Sequence, residues 1–308
     1  MEDPTGEAAM RVQHPTMPDT ETIVYVNGAL VSKAEAVVSI YDSGFCHGDG
    51  AYEGIRLYDG RVFRLEAHIR RLYEALTMLD IDPGVSQAQM ADIVLETFRA
   101  NSLRTDLHMR LQVTRGRKRV TGMNPKLNVG PATIVAFVDH KPPIFDKTGI
   151  TLITSTVRRA SPNVIDAKIH HINQLNQILA NIEANRQDAD EAIMLDDRGF
   201  VAETNSTTLF CAKDGVLMTP LPTFIVVGIT RNLLLDMAAA DGWATREADL
   251  SLYDFITADE VFICGTVGEL VPVKAIDGRT IGSTVPGPMT QRLMERYKAL
   301  TQAEGTAI

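Results

Sequence analysis

The sequence predicts an α+β protein of two parts, and three observations carry that prediction. The first 140 residues alternate strand-like runs with two amphipathic helical stretches. The segment His140–Lys147, with Pro142-Pro143, breaks both periodicities and reads as a linker. From Gly149 onward short strand-like runs dominate, separated by turn pairs. The predicted division is a polar extension over residues 1–20, a small domain over 21–139, the linker over 140–147 and a large domain over 148–308.

Each element has its own signal. Ile23–Val26 and Ala29–Val31 flank Asn27-Gly28, a hairpin with a tight turn. Ser39–Tyr52 reads as a glycine-rich loop. Glu53–Tyr58 and Arg61–Leu65 flank Asp59-Gly60, a second hairpin. Leu65, Ile69, Leu72, Leu76 and Leu79 recur at helical spacing, and Gln87–Asn101 is a second amphipathic helix. Leu107–Thr114 and Ala132–Val138 are strands. In the second half Gly149–Val157, Glu191–Asp196, Leu209–Ala212, Val216–Thr219 and Glu260–Cys264 are strands. Gln174–Asn185, Thr230–Ala240 and Pro288–Leu300 are helices. No internal repeat is visible.

Composition excludes several classes of function. With 308 residues, 45% apolar and 22% charged, the chain can bury substantial cores. A net charge of −9 lacks the basic footprint of a nucleic-acid binder. Cys46, Cys211 and Cys264 give neither a disulfide framework nor metal-ligand spacing, so no metal site is expected and a reducing cytoplasm is. No apolar run reaches membrane-spanning length, and the N-terminal residues lack a signal peptide's apolar core.

The chemistry-bearing residues are individually weak signals. Gly228-Ile229-Thr230-Arg231 opens a helix, where free N–H groups and the positive dipole end suit a phosphate; equally, Gly228 makes a turn and Thr230 caps it. Gly265-Thr266-Val267 follows a buried strand and offers similar donors. Glu203, heading Thr204-Asn205-Ser206-Thr207, either faces water or pairs with a cationic ring nitrogen. Arg70 and Arg71 are ordinary surface charges, unless one turns its fork of donors onto a phosphate. Arg158-Arg159 reads as surface charge.

Taken in order, the motifs say more. Asp42-Ser43-Gly44-Phe45, Gly48-Asp49-Gly50-Ala51-Tyr52-Glu53-Gly54-Ile55-Arg56 and His68-x-x-Arg71-Leu72 resemble the first domain of class IV (fold-type IV) aminotransferases. The stretches Asp190–Asp196, Gly199–Glu203, Thr219-Pro220, Gly228–Arg231, Ala258–Phe262, Gly265-Thr266 and Pro272-Val273 continue that resemblance through the second half. It implies a smaller N-terminal α/β sandwich domain, a larger C-terminal β-rich pseudo-barrel domain and a pyridoxal 5'-phosphate cofactor. It implies that Arg71, Gly228, Ile229, Thr230, Gly265 and Thr266 surround the phosphate. Glu203 would pair with the pyridine nitrogen, Val226 would lie on one ring face, and Thr204, Asn205, Ser206 and Thr207 would line the other. His47, Tyr52, Arg56, His108, Arg110 and Val267 would face the substrate. The implied activity moves an amino group between an amino acid and a 2-oxo acid such as 2-oxoglutarate, in a homodimer or larger homo-oligomer. Tyr52–Arg56 is most similar to branched-chain aminotransferases. Thr114-Arg115-Gly116 is closer to D-amino-acid transaminases and aminodeoxychorismate-type lyases, and R-amine transaminases share the family.

Such an enzyme needs a lysine amine to hold the cofactor as a Schiff base. Of nine lysines, Lys168 lies in the right segment, but Asn173, Leu175 and Glu183-Ala184 set a register that puts His170 in the lysine place. Three readings stand. Lys168 serves, because residues two apart on a strand share a face, with Cα atoms about 6.5–7 Å apart. Alternatively, His170 replaces the lysine and turnover is impaired. Or His170 is a substitution introduced into an ordinary member. His171 reads as a packing or supporting residue.

Overall fold

The computed structural model describes residues 22–142 and 145–308, so the expected N-terminal extension lies outside the described residues. The first sheet begins with β1 (Ile23–Val26) and β2 (Ala29–Ser32), joined at Asn27-Gly28 with both residues at positive φ (47° and 98°), the geometry of a type I′ turn. The predicted loop Ser39–Tyr52 is only partly a loop. It contains helix α1 (Ser43–His47), capped by Asp42 accepting from Gly44 N–H and ended by Gly48 in the left-handed region. It also contains the start of β3 (Gly50–Tyr58), which turns at Asp59-Gly60 into the short β4 (Arg61–Val62).

Helices α2 (Leu65–Met78) and α3 (Gln87–Arg99) follow, the latter with a complete Ser86/Gln89 capping box. Strands β5 (Leu107–Thr114) and β6 (Thr133–His140) complete the expected elements of the first half. The sheet is antiparallel, with Leu107, Met109, Leu111 and Val113 turned onto α2 and α3 and the alternate residues, His108 and Arg110, turned away.

The second half contains β7 (Ile150–Thr154), α4 (Leu175–Arg186), β8 (Glu191–Leu195), β9 (Val201–Thr204), β10 (Thr208–Lys213) and β11 (Val216–Pro220). Then come α5 (Ile229–Ala240), β12 (Ala244–Ala248), α6 (Leu252–Ile256), β13 (Glu260–Gly265), β14 (Glu269–Ile276), β15 (Arg279–Thr280), α7 (Pro288–Ala303) and β16 (Thr306–Ala307). The second sheet runs β12-β11-β10-β13-β14-β7-β8-β9, with β15 paired to β14. It is mixed: β12 lies parallel to β11, and β7 lies parallel to both β14 and β8. Strands β12, β14 and β15 and helix α6 carry no isolated sequence signal and are held by their neighbours.

Two features depart from the expected division. Strand β16 does not stay with the second half but pairs with β4 at the edge of the first sheet. Moreover, β4 covers only Leu57 and Tyr58 of β3. The remaining edge, Gly50 to Tyr52, pairs instead with His170–Ile172: Tyr52 N–H donates to the His170 carbonyl (2.9 Å) and Ile172 N–H to the Gly50 carbonyl (3.0 Å). A segment from the second half is thereby fastened to the first sheet.

Candidate active site

A cavity of about 350 Å³ opens between the two sheets. From the first sheet it receives Tyr52, His108 and Arg110, and from α2 it receives Arg71. From the second half it receives His170, Glu203, the loop Asn205–Thr207, Val226, the start of α5 and the Gly265–Val267 loop. Sixteen of the residues named from the sequence meet there.

At one end Arg71 stands beside the uncapped N-terminus of α5. Gly228 is its N-cap residue and makes no side-chain cap bond, so the N–H groups of Ile229 and Thr230 are presented with the positive end of the helix. Arg71 Nη1 donates to the Val227 carbonyl at 2.9 Å, which ties the guanidinium to this helix start. Its Nε and Nη2 grip the two oxygens of Glu53, each at 2.7 Å. Glu53 is fully buried. Burial alone would raise its pKa, but the charge and hydrogen bonds of Arg71 outweigh that and hold it well below the usual carboxylate range. His68 Nδ1 also reaches Glu53 at 2.7 Å.

At the other end is Glu203, 6% exposed. Burial pushes its pKa up to about 7, with Arg159 acting in the opposite sense. Arg159 Nη2 lies 2.5 Å from Glu203 Oε1 and the side chain is 5% exposed, so Arg159 is a buried partner and not the surface charge that its sequence neighbourhood predicts. Below Glu203 the 204–207 loop is tied down from inside. Thr204, Ser206 and Thr207 hydroxyls all donate to buried Glu191, and Asn205 Oδ1 accepts from Ala192 N–H at 2.7 Å. Thr204 is thus a support beneath the cavity and does not line it.

A further wall of the cavity is lined by Tyr52, His108, Arg110, Val267 and Lys141, the first four expected to face a substrate. Arg110 lies over the Tyr52 ring, 3.8 Å from its centroid. Burial, with Lys141 the strongest nearby charge, pushes His108 down to about 3, so it is neutral. Two residues expected here are elsewhere. His47 is exposed at the end of α1. Arg56, 1% exposed, donates to the Val267 carbonyl at 2.5 Å and pairs with Asp106, so it buttresses the substrate loop from behind.

The lysine question has a geometric answer. Lys168 is half exposed, its ammonium pairs with Asp166 at 3.3 Å, and it does not line the cavity. The expectation that Lys168 and His170 share a face needs extended backbone. Residues 166–169 form a turn instead, with Asp166 Oδ1 accepting from Lys168 N–H and its carbonyl from Ile169 N–H. His170 does line the cavity, with Nδ1 3.4 Å from Glu53 Oε1 and its ring tilted on Tyr52 at 4.0 Å. Glu53, His68, Arg159, Glu191 and Lys141 were not assigned a role by sequence reading. A charged residue inside an apolar-flanked strand, as at Glu53, is the one signal that pointed at any of them.

The amino-transferase class IV family model matches residues 50–276. The branched-chain-amino-acid aminotransferase-like protein 2 of Arabidopsis thaliana is 40% identical over 295 residues, 96% of this chain and 53% of that protein, so this chain spans about half its length. The putative branched-chain-amino-acid aminotransferase of Methanocaldococcus jannaschii is 42% identical over 92% of this chain and 98% of its own. The D-alanine aminotransferase of Bacillus licheniformis is 35% identical over 88% and 94%. Among solved structures, the branched-chain aminotransferase of the thermophilic archaeon Thermoproteus uzoniensis with norvaline superposes with a TM-score of 0.85 at 29% identity, covering 92% of this chain and 95% of that one. A cavity with a cationic, helix-capped end and a buried acid at the other, in a chain matched on that scale, makes this protein a member of the class IV aminotransferases.

Proposed function

We propose that the protein is a pyridoxal-phosphate-dependent aminotransferase acting between an amino acid, branched-chain type favoured, and a 2-oxo acid such as 2-oxoglutarate. The observation that carries this reading is the pair of opposed ends: Arg71 with an uncapped helix start, and Glu203 across the cavity. Phosphate and ring nitrogen are both provided for. The fit is incomplete at the amine, because position 170 is histidine and Lys168 points to solvent. Among the described residues Lys141 is the lysine that lines the cavity, on the wall with Arg110 and His108.

When bound, pyridoxal phosphate supplies an aldehyde that takes up the amino group and a ring that accepts the electron pair released at the α-carbon. The protein does the rest. Arg71 and the Ile229 and Thr230 N–H groups anchor the phosphate, and Thr266 adds a hydroxyl. Glu203 would pair with the ring nitrogen, and a cation placed there would favour its ionised form against the burial that raises its pKa. Val226 and the Asn205–Thr207 loop line the cavity between these ends and would hold the ring from its sides. Arg110, beside neutral His108 in the same wall, would receive a carboxylate, while Ile169, Phe145 and Val267 offer apolar wall to a branched side chain.

Two further readings belong here. The exposed apolar side chains of Leu175, Ile178, Leu179 and Ile182 on α4, together with Val164 and Ile165, fit a face covered by a second copy, hence a homodimer or larger assembly. Cys46, Cys211 and Cys264 are free thiols, which suits a reducing cytoplasm. No helix among the described residues is long and apolar enough to cross a membrane.

The test is a titration of the purified protein with pyridoxal phosphate, followed by absorbance and thermal shift, then assay of amino donors with 2-oxoglutarate. Saturable binding and preference for L-leucine, L-isoleucine or L-valine are expected. Preference for D-alanine would move the reading to the D-amino-acid branch, and no cofactor binding would remove it.

A further inference from the structure

We propose that Lys147, at the end of the linker, is the latch that sets the loop joining β13 to β14, and with it one wall of the cavity. The latch consists of contacts within the chain; that the wall it sets receives a substrate rests on the function proposed above.

The loop is short. Gly265 pairs with Glu269, which leaves Thr266, Val267 and Gly268 to turn from β13 into β14, and all three line the cavity. Glu269, the first residue of β14, has a left-handed φ of 59°, a conformation that a side chain disfavours. Side chains from outside the second sheet hold this turn by its carbonyls. That of Val267 accepts from Arg56 Nη1 at 2.5 Å. Those of Gly268 and Leu270 accept from Lys147 Nζ at 2.7 Å and 2.9 Å, and the same ammonium lies 3.4 Å from Glu269 Oε2. An ammonium has three donors, and here each has an acceptor. Lys147 thereby spans Glu269, bonding the carbonyl before it, the carbonyl after it and its side chain. A strained residue keeps one conformation when its surroundings fix it in this way.

Lys147 is itself held in a turn. Asp146 Oδ1 accepts from the N–H and the hydroxyl of Thr148, and the Asp146 carbonyl accepts from Gly149 N–H. Strand β7 then begins, with Ile150 paired to Val273 of β14. On the other side of Lys147, Phe145 lies so close to Gly268 that a Cβ there would come within 2.9 Å of its ring, so Gly268 is required by close approach. Phe145 and Lys141 both line the cavity, whereas Lys147 does not. The linker therefore supplies part of the wall and the latch behind it, and Lys147 is a positioning residue that acts through the loop. With Arg56 reaching the same turn from β3, the loop is held from the first sheet and from the linker at once.

Hydrogen–deuterium exchange of the full chain tests the latch, read by mass spectrometry on the peptide covering 265–272 and on peptides from β10 and α3. Lys147→Met keeps the apolar stem and removes all three donors. It should speed exchange in the 265–272 peptide by about 10-fold or more, the loss expected of hydrogen bonds from a charged donor, and leave the other peptides as in the parent. Lys147→Gln, uncharged and one atom shorter, should move the same peptide in the same direction. Glu269→Gln should leave it protected, because both carbonyl bonds remain. Unchanged exchange at 265–272, faster exchange spread evenly over the chain, or an equal effect of Glu269→Gln overturns the latch. In an assay of L-leucine with 2-oxoglutarate, Lys147→Met should raise KM about 10-fold and keep kcat within about twofold. A KM equal to the parent's, with the 265–272 peptide loosened, overturns the role of this wall in binding substrate. A parent protein without transamination overturns the proposed function, while the exchange result still decides the latch.

Discussion

At the scale of single residues, position 170 is where the proposed cofactor site departs from a lysine. His170→Lys places an amine beside Glu53 at the cavity wall. It should give a cofactor that borohydride fixes to the peptide carrying the substitution, read by mass spectrometry, whereas the parent gives none. Lys168→Ala removes a half-exposed chain paired only with Asp166. It should change stability by no more than about 0.5 kcal/mol and leave cofactor affinity as it was, by urea unfolding and titration. Glu203 gives a pH signature. Its folded pKa of about 7 is above its unfolded value, so its contribution is most favourable below the unfolded pKa and is lost as pH rises through 7. Compared with the parent free of cofactor, Glu203→Gln should therefore gain on the order of 3 kcal/mol in relative stability between pH 4 and pH 8. A difference in unfolding free energy that does not vary with pH would contradict this.

At the scale of elements, the phosphate end depends on how α2 and α5 are set against each other. Arg71→Gln leaves Glu53 as a buried charge without its cation. It should cost about 3–5 kcal/mol at pH 7, less as the pH falls and Glu53 takes up a proton, and abolish phosphate-dependent cofactor binding. Loss of binding without loss of stability would show that Glu53 does not need Arg71. Helix α3 provides a control, since its capping box is remote from the cavity. Ser86→Ala should cost about 1 kcal/mol and leave binding unchanged. Strand β3 has a tighter constraint at Gly50, where any Cβ would meet the Val113 carbonyl of β5, so this glycine is required by close approach rather than by its φ.

At the scale of the whole molecule, the cavity exists because the two sheets are tied together from both directions. The His170–Ile172 segment crosses to the first sheet, and the C-terminal β16 returns to it. The exposed apolar face of α4 is the proposed seat of a further copy. Ile178→Asp should shift the protein from dimer to monomer at micromolar concentration, measured by light scattering after size exclusion. An unchanged mass would place the assembly face elsewhere. Much of this organisation is legible in the chain. The boundaries of α2, α3 and β5 follow the apolar periodicities closely, because each buries one face along most of its length, and those of β1 follow the Asn27-Gly28 turn. Strand β12 and helix α6 are not legible, because β12 is mostly exposed and α6 is five residues long.

The sequence by itself determined the family, and it named the residues that the cavity gathers at its two ends, Arg71 with the start of α5 and Glu203 opposite. Those roles fall on residues in compact local motifs, a helix start, a strand end, a paired helix position, whose spacing survives as order along the chain. Only the tertiary structure decided that Arg159 is buried against Glu203, that Arg56 supports a loop, and that Lys168 faces water while His170 faces the cavity. Those outcomes depend on one turn at residues 166–169 and on pairings between segments well separated along the chain, and a side chain's direction across such a turn is not written in local periodicity.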